Sequence, residues 1–466
     1  MRIVLADLKG AGGFVNKDTV VGGFGLRFQG FSFTTRMIER VRKFYQNVPS
    51  IHAAYMAAIF ERQGHEVIYT SDRQVDGDLA LVLTSLVDYR NELRWAKEAQ
   101  RRGMRVGFFG AVATHARNLL DGEGDFIISG EPEQAAMRLA RGEVLSGIIE
   151  SLALPDLDVL PFPAWHHTQT RARHAVGRSP WATRAAFPVL SSRSCPEFCT
   201  YCPHRTTAAY RSRSPEGVLA EIEYLCGRYG KVYLIFRDPL FSVERERSMA
   251  LAEGIRRQQL PVNFECETRL DSLDTELIDE LYAAGLRAIT FGVESIEAST
   301  LKRVARRPIP PAHQRQIVDY CHQKGIASEA FYVFGFPEDT ADSLSATIQY
   351  AVDLNTTAAM FKILTPYPGT PLRKRLEPLI TQMDPEKFDG HTPTFSHPNL
   401  THDELRFLLG SAYSRFYCRP SWLFTYLGMK KPKAGWLRNI DEMARAEQVH
   451  LETLFFNSQP RKAPIS

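Results

Sequence analysis

Ser194-Cys195-Pro196-Glu197-Phe198-Cys199-Thr200-Tyr201-Cys202 is the stretch on which the reading turns. Three of the chain's seven cysteines fall in it, spaced C-x3-C-x2-C. An odd number of cysteines crowded in this way points to metal binding rather than a disulfide framework. A loop at a strand end can turn all three thiolates toward one centre. Iron–sulfur clusters prefer thiolate ligands, normally four per cubane, so three protein thiolates leave one iron open to another ligand. The alternative is zinc with His204 as fourth ligand. Zinc sites usually pair two ligand units across a finger, and no second unit lies nearby.

Downstream of this stretch, apolar runs alternate with helix-period segments. The strand candidates are 188–193, 231–237, 262–267, 288–293, 327–334 and 360–365. Helices are expected between them at 215–228, 243–258, 274–284, 297–305, 312–324 and 340–353. Six βα units in succession predict a closed or nearly closed parallel barrel over 184–375. Residues 1–150 alternate in the same way, with buried-strand runs at 2–6, 66–69, 79–83, 105–109 and 126–128. That pattern predicts an α/β domain whose parallel sheet is covered on both faces. Residues 151–183 are rich in Pro, His and Arg and read as a linker, and 376–466 reads as a mostly helical region on the substrate side.

Composition sets bounds on partners. Of 466 residues, 44% are hydrophobic and 24% charged, the balance of a globular protein that builds its own core. The net charge of +4 is small for this length and argues against nucleic acid as a partner. The densest basic stretch, Arg303 to Arg307, reads as a solvated helix end. No apolar run reaches the roughly 18 residues of a membrane span. The N-terminus enters a strand pattern directly, with no signal-peptide pattern, so a reducing cytoplasm is expected.

The cysteine stretch, with an aromatic before its last Cys, resembles the signature of radical S-adenosylmethionine (SAM) enzymes. The resemblance continues in Glu267-Thr268-Arg269, Phe291-Gly292-Val293-Glu294-Ser295, Phe334-Gly335-Phe336-Pro337-Glu338 and Thr365-Pro366-Tyr367-Pro368-Gly369-Thr370-Pro371, in the order shown by members with an N-terminal cobalamin-binding domain. It implies a doubly wound Rossmann-like domain ahead of a (β/α)6 partial TIM-type barrel. It also implies a 4Fe–4S cluster on Cys195, Cys199 and Cys202, whose open iron chelates SAM before reductive cleavage to a deoxyadenosyl radical. Tyr201 would lie near the adenine, as would the backbone from Gly335. Arg269 and Glu294 would hold the ribose or methionine, and Asp238 would contact the SAM amino group. An electron donor such as flavodoxin or ferredoxin and a small-molecule substrate complete the implied set.

The pieces Ala54-Tyr55-Met56-Ala57-Ala58, Phe109-Gly110-Ala111-Val112-Ala113-Thr114 and Gly130-Glu131-Pro132-Glu133 resemble the cobalamin-binding domain of the same family. On that resemblance the lower corrin face would lie near Leu86 to Tyr89. Gly110, Ala111, Gly130 and Glu131 would line the nucleotide tail. The Asp-x-His-x-x-Gly motif that ligates cobalt is absent, and the usual Gly-Gly is Gly110-Ala111. The implied activity is cobalamin-dependent methylation of an unactivated carbon. Radical cyclisation or rearrangement is the alternative, and a non-catalytic iron–sulfur or corrinoid-binding protein a remote one. No residue is singled out as catalytic. His391, His397 and His402 read as surface histidines, Cys226, Cys266 and Cys321 as small buried hydrophobes, and Cys418 is harder to place.

Overall fold

The computed structural model describes residues 1–17, 20–45, 48–168, 173–176, 179–420, 422 and 434–456. Part of the expected linker (169–172, 177 and 178) and parts of the C-terminal region therefore lie outside the described residues.

The N-terminal half is built on strands β1 (Arg2–Ala6), β4 (Glu66–Thr70), β5 (Leu79–Leu83), β6 (Arg105–Phe109), β7 (Phe126–Gly130) and β8 (Gly147–Ser151), with a small hairpin, β2 (Phe14–Asn16) and β3 (Leu26–Phe28), inserted after β1. The six form one sheet in the order β4-β1-β5-β6-β7-β8, with every pairing parallel. Leu79 to Leu83 are all buried, because a parallel strand has both faces covered. Helices α1 (Phe33–Tyr45), α2 (Ile51–Arg62), α3 (Tyr89–Arg101), α4 (Ala111–His115) and α5 (Glu133–Ala140) accompany this half. The strand order reverses between β1 and β5, the place where doubly wound sheets usually take ligands.

The second sheet runs β17 (Ala358–Ile363), β16 (Ala327–Phe334), β15 (Leu286–Glu294), β14 (Val262–Thr268), β13 (Val232–Phe236), β10 (Ser179–Val189), with β9 (Arg173–Val176) antiparallel on its edge. The six strands from β10 to β17 pair in parallel, and β10 does not pair with β17, so the barrel is partial. Its helices are α6 (Pro215–Tyr229), α7 (Arg245–Arg257), α8 (Thr275–Ala284), α9 (Ala298–Arg303), α10 (Pro311–Lys324) and α11 (Ala341–Leu354). Local chemistry places their starts: Ser214 and Asp274 accept from backbone amides as N-caps, and Thr340 with Ser343 closes a capping box. The first barrel strand differs from expectation. It ends at Val189, and Ser192–Arg193 (β11) instead pairs with Arg211–Ser212 (β12) in a short hairpin around the cysteine loop. The chain closes with α12 (Pro371–Leu376), α13 (His402–Tyr417) and a last helix, Ala434–Phe456.

The insert between β1 and α2 joins the two halves. Phe28 packs edge-on against Tyr413 of α13 at 5.5 Å. Glu447 of the last helix accepts from the Phe33 and Thr34 amides and so caps α1. Val48 packs with Ala186, Tyr233 and Ile235 of the barrel.

Candidate active site

Cys195, Cys199 and Cys202 follow β11 on one loop and line a single cavity of about 520 Å³ inside the barrel. The loop is held from several sides. The Cys202 amide donates to Cys199 O at 3.1 Å, Thr200 N donates to Val304 O, and Leu372 N donates to Thr200 O. The Ser194 hydroxyl donates to His204 O, and Ser194 itself sits at φ +65°, a conformation an L residue adopts only under constraint. Burial pushes all three thiols up, Cys202 to about 12, so as free thiols they hold their protons. A thiophilic centre would displace those protons and keep the sulfurs as thiolates.

The spacing of the sulfurs distinguishes two metals. Zinc at about 2.3 Å from each sulfur would draw them to roughly 3.8 Å apart. Among the described residues the only His/Cys/Asp/Glu set with three ligand atoms mutually within 4.8 Å is Glu61, His166 and His167. The three cysteine sulfurs are thus not all within 4.8 Å of one another, and the all-thiolate donor set fits an iron–sulfur cluster. His204 lines the same cavity, pulled down to about 4 by burial and by Arg237 and Lys362.

The strand ends supply charged groups around the thiols. Glu294 lies at φ +66° where β15 slips register against β16, and its carboxylate stands 3.6 Å from Arg306. Arg306 also donates to Gly292 O at 2.6 Å and lies 3.9 Å from the Cys199 sulfur. Arg269 donates twice to Asp271 and once to Arg307 O, each at 2.9 Å, and its Nη1 is buried without a partner. Arg237 binds Glu267 at 2.7 Å. Tyr201 lines the cavity and packs edge-on against Phe336 at 5.8 Å. The structure thus brings Tyr201, Arg269 and Glu294 together with the three cysteines.

Asp238 stands apart. Although Arg237, Pro239 and Leu240 line the cavity, the fully buried Asp238 carboxylate accepts from Ser191 N (3.1 Å), Ser191 Oγ (2.8 Å) and Ser192 Oγ (2.5 Å). It braces the backbone entering the cysteine loop. Gly335, at φ +91°, gives its amide to Asp339 and forms the turn after β16.

The residues expected around a corrin are packed rather than open. Leu86, Val87 and Asp88 are buried, and the inserted segment lies over them: Leu86 N donates to Phe24 O, and a Cβ on Gly25 would come within 2.9 Å of Val87. Phe24 is fully buried, stacked on Tyr367 at 5.4 Å and tilted on His115 at 5.9 Å. Beneath it, Lys17 binds Glu92 at 2.7 Å, and Arg27 binds Asp88 at 2.7 Å. Gly110 sits at φ +109°, where a Cβ would come within 3.0 Å of Leu83 and Thr84, and Ala111 starts α4. Gly130 faces the Ser151 carbonyl. The Glu131 carboxylate is committed to Arg193 and Arg211, and Arg193 also binds Glu133 at 2.8 Å. These carboxylates clamp the β11–β12 hairpin to the first sheet. In this arrangement the segment carrying Phe24 and Gly25 covers Leu86 and Val87.

Reading the sequence missed Arg306, expected on a solvated helix end but buried beside Cys199. Of the arginines in that stretch the outer two are exposed: Arg303 pairs with Glu338 and Arg307 with Asp271. His397 and His402 are not free surface groups either, since they bond to Phe336 O and Phe395 O. Cys266, Cys321 and Cys418 are buried, Cys418 beside the Thr34 hydroxyl at 3.3 Å, and Cys226 is half-buried.

Residues 189–351 match the family model of the radical SAM superfamily. The chain carries a radical SAM domain. The matched stretch contains the cysteine loop and the four middle barrel strands, β13 to β16. An uncharacterized methyltransferase of Pyrococcus horikoshii is 25% identical over 279 residues, 59% of this chain and 58% of its own. The anaerobic magnesium-protoporphyrin IX monomethyl ester cyclase of Cereibacter sphaeroides is 29% identical over 53% of this chain and 41% of its own. The bacteriochlorophyllide d C-12(1)-methyltransferase of Chlorobaculum tepidum is 24% identical over 70% and 72%. The chain thus spans about half the length of the first two relatives. The fold outside the radical SAM domain is shared as well. The methyltransferase TsrM of Kitasatospora setae, solved with cobalamin and a [4Fe–4S] cluster, superposes with TM-score 0.60 at 15% identity over 96% of this chain and 99% of its own. The cobalamin-dependent radical enzyme OxsB gives 0.63 at 13%, over 99% and 74%.

Proposed function

We propose that this chain reductively cleaves SAM and uses the resulting radical to functionalise an unactivated carbon of a small molecule, most simply by methylation. The observation that carries the reading is the triad of cysteines opening into a cavity that the other barrel strands line with charged groups. A cluster on Cys195, Cys199 and Cys202 would supply the electron that breaks a carbon–sulfur bond of SAM. The chain's own residues do the rest. Arg269 Nη1 and Glu294 present an unfilled donor and an acceptor to the SAM ribose or methionine. Arg306 balances negative charge beside Cys199. The barrel wall excludes water from a reactive radical.

Two relatives that are methyltransferases, and two cobalamin-dependent enzymes of the same fold, support cobalamin as the methyl carrier. At the switch of the first sheet the segment around Phe24 packs on Leu86, His115 and Tyr367. That packing, together with the cyclase relative, supports a second reading: oxidative cyclisation or rearrangement with no methyl transfer. Anaerobic reconstitution, reduction and mass analysis of products separate the two. Methylation adds one CH2 to the substrate, and rearrangement adds none. Equilibrium dialysis with hydroxocobalamin reports the corrin directly. Absence of deoxyadenosine after reduction with SAM would overturn both.

A further inference from the structure

The cationic side chains on the cavity wall differ in how they are used: Arg205 donates to Pro196 O at 2.8 Å. Arg237 is held by Glu267 at 2.7 Å, Arg306 by Gly292 O at 2.6 Å, and Arg269 by Asp271 at 2.9 Å. Lys362, pointing inward near the end of β17, has no hydrogen-bond acceptor and no ion-pair partner among the described residues; its ammonium lies 5.6 Å above the Phe331 ring. Glu267, Glu294 and Glu329 act on it only through space. Close enough to act on it is Arg42 of α1, 5% exposed and packed over the Phe28 ring at 5.0 Å, whose Nη1 is buried without a partner. An ammonium facing an enclosed cavity without an acceptor is costly, and a second unfilled cationic donor nearby makes it more so. Beside these carboxylates the wall also carries the apolar side chains of Leu26, Phe331 and Met360, and Gly390 leaves open the space beside the Lys362 stem.

We propose that Lys362, backed by Arg42, is an anion-binding subsite that receives a carboxylate or phosphate of the substrate while the apolar wall takes its body. The substrate is tethered at its charged end and presents its carbon skeleton to the rest of the cavity. Burial also pulls the Lys362 ammonium down to about 8, and an arriving anion would raise it again. This inference rests on the reading of the cavity as a radical SAM active site, and it names the class of substrate.

The test uses the full-length, cluster-reconstituted protein saturated with SAM. Calorimetric titrations compare 3-phenylpropionate, 3-phenylpropionamide and 3-phenylpropylamine on wild type, Lys362→Gln and Lys362→Arg. Wild type is expected to bind the carboxylate about ten- to a hundredfold more tightly than the amide, the range of one charge-assisted hydrogen bond. Lys362→Gln should erase that preference, and Lys362→Arg should keep most of it. Equal binding of acid and amide by wild type, tighter binding of the amine, or a preference that survives Lys362→Gln would overturn the proposal. So would a tenfold or larger loss of SAM affinity in Lys362→Gln, which would assign the ammonium to the carboxylate of SAM itself. Deoxyadenosine formation by the wild type under dithionite is read separately. Its absence would defeat the active-site reading without reference to the carboxylate preference.

Discussion

Replacing Asp238 by Asn separates a structural brace from a SAM ligand. The carboxylate accepts three hydrogen bonds, from one amide and two hydroxyls of Ser191 and Ser192, in a fully buried setting. Arg247 lies beside it and donates to Ser191 O and Oγ. Asparagine keeps the shape but retains one acceptor oxygen and adds two donors. The serine hydroxyls can reverse their roles; the Ser191 amide cannot. Arg247 also loses a compensating charge. Hydrogen bonds to charged groups are worth about 1.5–3 kcal/mol each and do not add fully, so the variant should be less stable by about 3 kcal/mol. Urea unfolding followed by circular dichroism should show the loss as a lower midpoint at similar slope. SAM affinity measured on the folded, reconstituted variant should stay within about threefold of wild type. An unchanged urea midpoint combined with a tenfold loss of SAM affinity would refute the brace and restore Asp238 to the ligand shell.

Other expectations follow from the same geometry. Cys195→Ala, Cys199→Ala and Cys202→Ala should each abolish the broad visible absorption of the reconstituted protein, whereas Cys226→Ala and Cys321→Ala should retain it; visible spectra and iron analysis check this. Arg269→Ala and Glu294→Ala should keep the cluster but weaken SAM binding by roughly ten- to a hundredfold, because each removes one charged hydrogen-bond partner. Gly130→Ala should cost about 2–4 kcal/mol in thermal unfolding, since Gly130 sits at φ +96° and a Cβ there would come 2.3 Å from Ser151 O. His391 is pulled down to about 3 by burial, then by Arg42 and Lys362, from an ordinary value near 6.5. Its folded state thus prefers the neutral ring, so its contribution is present above pH 6.5 and lost as pH falls toward 3. Wild type should lose about 2 kcal/mol more than His391→Gln between pH 6.5 and 4.5, read from urea midpoints.

The barrel was legible because its signals are local. The strand 327–334 and the helices starting at 215, 275 and 311 lie within a residue or two of their expected places, since apolar period, caps and Pro or Gly boundaries all sit in the same short window. The cysteine loop was legible for the same reason. What escaped was set by partners far along the chain. Glu131 meets Arg193 and Arg211 across 62 and 80 positions, and Lys17 meets Glu92 under a segment that has no strong period of its own. Arg306 looked solvated because its neighbours Arg303 and Arg307 are; only the turn after α9 aims it inward. The first barrel strand was placed late because the run through Arg193 continues past Val189 in sequence, while in space Ser192–Arg193 leaves the sheet to pair with Arg211–Ser212.

The clamp from Glu131 and Glu133 to Arg193 and Arg211 bears on how such proteins can be recombined. A chimera joined just after β8, beyond Ser151, would carry another protein's acidic pair, or none, under this hairpin. Two guanidinium groups would then sit beneath the cysteine loop without counter-charge. A junction placed ahead of β7, before Phe126, would keep the acids and their arginines in one inherited block. The functional boundary between the two halves therefore lies inside the first sheet, not at the stretch of chain that connects them.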